Sequence, residues 1–102
     1  MSKKGIEFTI EIEEIKDYEE FMNNEELLNE LQKLVDDVHY GCQIGFTDDD
    51  ILRCTGKIIN ETKKECEAEY TIFKGKYKKI LEKYYSKVNP IDRMKMYFTT
   101  VY

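Results

Sequence analysis

Near the start of the chain Ile6, Phe8, Ile10 and Ile12 alternate with Glu7, Thr9, Glu11 and Glu13. A period of two with β-branched residues on one parity predicts a strand with one buried face. At Asp17 the period changes. Asp17 and Glu20 form a D-x-x-E helix-start signal. Phe21, Leu28, Leu31, Leu34, Val35 and Val38 then recur at helical spacing. Asn23-Asn24 is expected to divide this helix, with Asn24 capping the second piece, and Gly41 follows as a C-terminal signal. Val38, Tyr40, Cys42, Ile44 and Phe46 share one parity, so the helix is expected to end near Asp37 and a short strand to follow. Thr47-Asp48-Asp49-Asp50 is a polar turn.

Residues 51–88 carry two patterns at once. As strands, Leu52, Cys54, Gly56 and Ile58 face in while Arg53, Thr55 and Lys57 face out. Asn60 to Lys64 is then a loop, and Cys66, Ala68, Tyr70 and Ile72 alternate with Glu65, Glu67, Glu69 and Thr71. As a helix, Leu52, Ile59, Cys66, Phe73 and Ile80 recur every seven. One helix from about 47 to 88 would be roughly 60 Å long, too long for a compact domain. Gly56 also disfavours a helix interior, so the hairpin is preferred. Residues 76–88 are helical on either reading, with Tyr77, Ile80, Leu81, Tyr84 and Val88 as the apolar stripe. Asn89-Pro90 ends it, or Asn89-Pro90-Ile91-Asp92 caps another short helix. Met94, Met96, Phe98, Thr100 and Tyr102 predict a closing strand.

The expected order is β-α-(β)-β-β-α-β: an antiparallel sheet of four or five strands with two helices on one face, compatible with a ferredoxin-like arrangement. The alternative is a mostly helical chain built on the long 47–88 helix. At 102 residues the chain fits a single α+β domain spanning 1–102. Hydrophobic residues are 41% and charged residues 36%, too apolar for a disordered tail and too polar for a membrane protein. No apolar run approaches the roughly 20 residues that span a bilayer. Met1-Ser2-Lys3-Lys4-Gly5 leads into an alternating strand and not into the apolar stretch of a signal peptide. Three cysteines, an odd set without C-x-x-C spacing, do not suggest a secreted disulfide scaffold. A cytoplasmic location is therefore expected. Abundant Lys, Glu, Ile, Asn and Tyr, with one Pro and no Trp, suggest an AT-rich bacterial or viral genome, and for a viral gene the host cell cytoplasm.

The net charge of −5 conceals an asymmetry. Residues 1–50 hold fifteen acids and four bases; residues 51–102 hold six acids and twelve bases. Such polarity marks an interaction surface unless the halves neutralise each other on folding. The largest single-sign set is Glu11, Glu13, Glu14, Glu19, Glu20, Glu26, Glu30, Asp36, Asp37, Asp48, Asp49 and Asp50. It reads as a docking face for a basic protein surface, including one that normally holds nucleic acid, or as a solubilising surface. Lys76, Lys79, Lys83 and Lys87, with Tyr85 nearby, form a basic helix stripe that offers direct nucleic-acid binding as an alternative. On the hairpin reading Glu65, Glu67 and Glu69 would lie on the sheet's outer face and repel phosphate, so sheet-face binding is rejected and direct nucleic-acid binding is not the leading reading.

Catalytic chemistry has little to draw on. The chain has one His and no recognisable nucleophile context or Gly-rich phosphate loop. Cys42, Cys54 and Cys66 are spaced twelve apart with His39 nearby, but His39 has the opposite strand parity to Cys42, and free Cys is a common core residue. Asp48-Asp49-Asp50 lacks the alternate ligands, Gly and distant Glu of a calcium loop. No catalytic residue, metal or cofactor is assigned, and no enzymatic activity is expected. In size and charge the chain resembles the small acidic inhibitors that phages carry against host defences, including anti-CRISPR proteins. That resemblance implies a protein-binding module that occludes a basic nucleic-acid-binding surface of a larger enzyme. A homo-oligomeric structural or accessory subunit, joined through a sheet edge or by acidic-to-basic contacts, is a further alternative.

Overall fold

The computed structural model describes residues 2–38 and 41–100. Four strands form one antiparallel sheet in the order β2-β3-β1-β4, and three helices pack on one of its faces, an α+β fold. β1 (Ser2–Ile12) lies inside the sheet, paired with β3 (Leu52–Asn60) on one side and β4 (Ile91–Thr100) on the other. β2 (Cys42–Phe46) is a short edge strand on β3. The alternation of β1 does what it predicts: Ile6, Phe8, Ile10 and Ile12 are buried, while Glu7 is exposed on the opposite side. No helix among the described residues is long and apolar enough to cross a membrane.

The first helix is broken as its asparagines suggest. Asp17 accepts from the Glu20 amide at 3.0 Å and starts α1 (Tyr18–Met22); Asn24 accepts from the Leu27 amide at 3.1 Å and starts α2 (Glu25–Asp36). Each cap satisfies a backbone N–H that the helix start leaves open. Phe21, Leu27, Leu31 and Leu34 enter the core. Gly41 does not cap α2; Asp37 does so in an ordinary right-handed conformation. Gly41, with φ of 71°, instead turns the chain just before β2.

The middle of the chain departs from both readings. β3 is a strand, which removes the long 47–88 helix, and Leu52, Cys54 and Ile58 face in as expected. Its expected hairpin partner at 65–72 is not a strand: Lys63–Glu82 is one helix, α3. Cys66, Tyr70, Phe73, Tyr77 and Leu81 are its buried face, at steps of four, three, four and four. Ala68 and Ile72, inward in the strand reading, are exposed. Periods of two and 3.6 share the positions 66 and 70, so eight alternating residues do not separate them. Thr62 does separate them. Its hydroxyl accepts from the Glu65 amide and donates to the Glu65 carboxylate, both at 3.1 Å, a T-x-x-E start inside the expected loop. The strand expected only as an option, β2, is the real neighbour of β3. Pro90 leads directly into β4 and caps no helix. With α1 and α2 counted as one broken helix, the order is β-α-β-β-α-β, compatible with the ferredoxin-like arrangement.

α3 packs on β1 and β3, and α2 packs on α3. Among the described residues the far face of the sheet carries no helix, and β2 and β4 are its edges.

Candidate functional site

Strand direction gathers the acidic loops at one end of the molecule. β1 runs into the loop before α1, and the hairpin between β2 and β3 turns at the same end, where the Leu52 amide donates to the Ile15 carbonyl at 3.2 Å. Lys16, Asp17, Tyr18, Glu19 and Asp50 line one concavity of about 490 Å³ there, and Glu13 and Glu14 line an adjoining one with Lys16 and Asp17. Residues 13–20 and 47–51 hold eight acids, Glu13, Glu14, Asp17, Glu19, Glu20, Asp48, Asp49 and Asp50, against the single base Lys16. The hairpin tip is held rigidly: the Thr47 hydroxyl accepts from the Asp49 and Ile51 amides, each at 3.2 Å, and Asp50 adopts φ of 59°. Tyr18 anchors α1 by an edge-on contact with Phe46, ring centres 5.3 Å apart. The Tyr85 phenol is raised first by burial and then by the charges of Glu20 and Asp17.

The other expected docking acids lie elsewhere. Glu11 is on the open sheet face, bound by Arg53 at 3.0 Å. Glu30 is on α2 and accepts from Lys83 and from the Tyr84 hydroxyl, which hold its carboxyl below the ordinary value. The same contact pushes the Tyr84 phenol up to about 12. Glu26 is exposed on α2, and Asp36 and Asp37 are at its far end. Internal neutralisation between the two halves of the chain is therefore partial: it takes in Glu7 with Lys57, Glu11 with Arg53 and Glu30 with Lys83, and none of the eight acids at the end.

Lys76, Lys79 and Lys83 come together with Lys33 along a groove between α2 and α3, whose floor includes Leu34 and Ile80. Glu30 and Asp37 share that groove, so its basic character is diluted. Lys87 lies past the end of α3 and does not line it.

The expectation of a phosphate-repelling sheet face fails, because Glu65, Glu67 and Glu69 belong to α3 and not to the sheet. The described residues of the open face include Arg53 and Lys57 of β3, Lys3 of β1 and Arg93 and Lys95 of β4, against Glu7 and Glu11. Gln43, Thr55, Thr9 and Arg93 form one row across all four strands. A concavity of about 590 Å³ on this side is lined by Glu7, Thr9, Gln43, Thr55 and Lys57 among others. The signal for this face is the odd parity of β1, β3 and β4, legible once β3 is paired correctly.

Cys42 and Cys54 are on neighbouring strands with their Sγ atoms 3.4 Å apart, whereas Cys66 is on α3 and donates to the Lys4 carbonyl. His39 lies outside the described residues. Among the described residues no group of three or more His, Cys, Asp and Glu side chains is placed to hold a metal ion.

No family model matches the chain, and no curated protein matches it. Among solved structures it is similar to a de novo designed protein, Foldit4, at 12% identity and a TM-score of 0.45, covering 98% of this chain and 99% of that one. It is also similar to a PII-like signaling protein from Thermus thermophilus, at 10% identity and a TM-score of 0.34, covering 97% and 89%. Likeness at these TM-scores carries no argument about function.

Proposed function

We propose that this chain is a non-enzymatic protein-binding module that docks its acidic end on a basic, nucleic-acid-binding surface of a larger protein, in the manner of a phage-type inhibitor of host defence. The observation that supports this reading is the convergence of eight acids from residues 13–20 and 47–51 on one end, with Lys16 the one base within those two segments and no described ion pair to any of the eight. The α3–β4 connection carrying Lys87 also reaches this end, where the Asn89 amide donates to Glu14 at 2.6 Å. A held array of like charges costs self-repulsion, and an oppositely charged partner relieves it while steering the encounter. The test is capture of basic nucleic-acid-binding enzymes from a bacterial lysate at low and high salt, followed by competition of the captured enzyme's nucleic acid. Capture should fail at high salt and with Asp48→Lys/Asp49→Lys/Asp50→Lys. A partner that tolerates both changes would refute the docking end.

A second reading, direct nucleic-acid binding, draws support from the basic excess of the open sheet face more than from the diluted Lys76–Lys83 groove. A gel shift at low salt separates the two surfaces. Arg93→Glu/Lys95→Glu should abolish retardation if the sheet binds, and Lys79→Glu/Lys83→Glu if the groove does. Equal behaviour of both variants and the wild type removes this reading.

A further inference from the structure

We propose that Cys42 and Cys54 form a site of reversible oxidation, closing to a disulfide between β2 and β3 when the folded chain meets a hydroperoxide. The inference stands apart from any docking partner. The register places Cys42 opposite Gly56 and Cys54 opposite Ile44, so the two cysteines sit on the same face, one inward step apart on adjacent strands. Their Sγ atoms are 3.4 Å apart. A disulfide bond is about 2.0 Å long, so the sulfurs need to approach by about 1.4 Å. Diagonal neighbours on antiparallel strands lie about 7–8 Å apart, at the edge of the disulfide span, so closure also needs the backbone to shift. The strand that would shift is β2, five residues long and held from one side only.

The two thiols differ as an attacking and a resolving cysteine should. Cys42 is half-buried and reachable, while Cys54 is fully buried. The hydrogen bond shared with Cys54 lowers the Cys42 thiol, and the same bond together with burial raises Cys54. The thiolate is the nucleophile, so oxidation begins at Cys42. Cys66 is an internal control: it is buried on α3 and bonded to backbone carbonyls.

The chemistry balances with the oxidant named. The Cys42 thiolate attacks one peroxide oxygen, the O–O bond breaks, and hydroxide leaves as Cys42 becomes a sulfenic acid. The Cys54 sulfur then attacks the Cys42 sulfur and expels its hydroxyl, which departs as water with the Cys54 proton. Two thiols and one hydrogen peroxide become one disulfide and two waters, and two electrons pass from sulfur to peroxide. A dithiol reductant reverses the bond by exchange.

The test uses the wild-type chain with hydrogen peroxide, so it does not depend on a variant folding. Peptide mapping without reduction should find Cys42 joined to Cys54 and Cys66 as a free thiol. Hydrogen exchange at the β2 amides should slow by on the order of tenfold or more and recover with dithiothreitol. Cys66→Ala should behave like the wild type, and in Cys42→Ala the sealed Cys54 should stay unreactive. Three results would overturn the proposal: over-oxidation of Cys42 with no bridge, a bridge involving Cys66 or a second chain, or three unreacted thiols in the folded protein.

Discussion

Phe8 holds the middle of the core, its ring 5.1 Å from Tyr70 and 5.3 Å from Phe73. It fits because residue 56, directly across from it on β3, has no side chain: a Cβ there would lie 2.6 Å from the Phe8 ring. The ring is boxed in by two aromatics of α3, so it cannot swing aside without disturbing them. Gly56→Ala should therefore lower the unfolding free energy by about 1–3 kcal/mol, measured by urea denaturation. Combining it with Phe8→Leu should cost less than the two single changes added together, because they share one clash. Additive costs would show that the strand backbone, and not the ring, suffers. In the sequence Gly56 argues only against a helix; its closeness to Phe8 is invisible there, because it arises from a pairing across some fifty residues. Tyr77 shows the opposite economy. Its hydroxyl is buried without a partner among the described residues, so what the side chain contributes is ring volume and its stacking on Phe73.

At the level of elements, α3 is tied to the edge strand β4 by one polar joint. The Asp92 carboxylate accepts from the Tyr70 hydroxyl and from Lys74, each at 2.6 Å. Burial pushes the Asp92 carboxyl up, but the bonds from Lys74 and Tyr70 outweigh it and leave it below the usual carboxylate value. A carboxyl lowered in the folded state stabilises the fold above its ordinary pKa of about 4, and that contribution fades as pH falls through the folded value. Asp92→Asn should cost about 1–3 kcal/mol near neutral pH, and the gap to the wild type should narrow as pH falls below the ordinary carboxylate value. A gap that stays constant with pH would mean that shape, not charge, makes the joint. Elements are legible where a start signal meets a sustained period, as at Asp17, Asn24 and the alternating β1. They are not where a start signal hides in a polar stretch, as Thr62 and Glu65 do between two alternating runs. The candidate site is legible only as composition: the sequence shows many acids, but which of them meet is decided by strand direction, which carries Glu11 and Glu30 away from Asp48 to Asp50.

For the whole molecule, sign is sorted by region: an acidic end, an open sheet face with excess base, and a mixed groove between the helices. Folding against that much like charge at one end has a cost that a surface substitution can relieve. Asp49→Lys should raise the melting temperature at low salt, by a few degrees at most given roughly 0.5 kcal/mol per exposed charge interaction, and the gain should shrink as salt is added. A lower melting temperature would place Asp49 in the structural work of the turn and weaken the docking reading. The sheet order has a different consequence, one of timing. β1 is synthesised before both of its partners, which begin at Leu52 and Ile91, and Ser2 finally lies beside Thr100. The β3 side of β1 can pair once Asn60 has emerged from the ribosome, but its β4 side stays open until Ile91–Thr100 follows. During that interval Ile6, Phe8, Ile10 and Ile12 make a sticky segment, and the glutamates set between and after them act as gatekeepers that keep nascent chains from zipping onto one another.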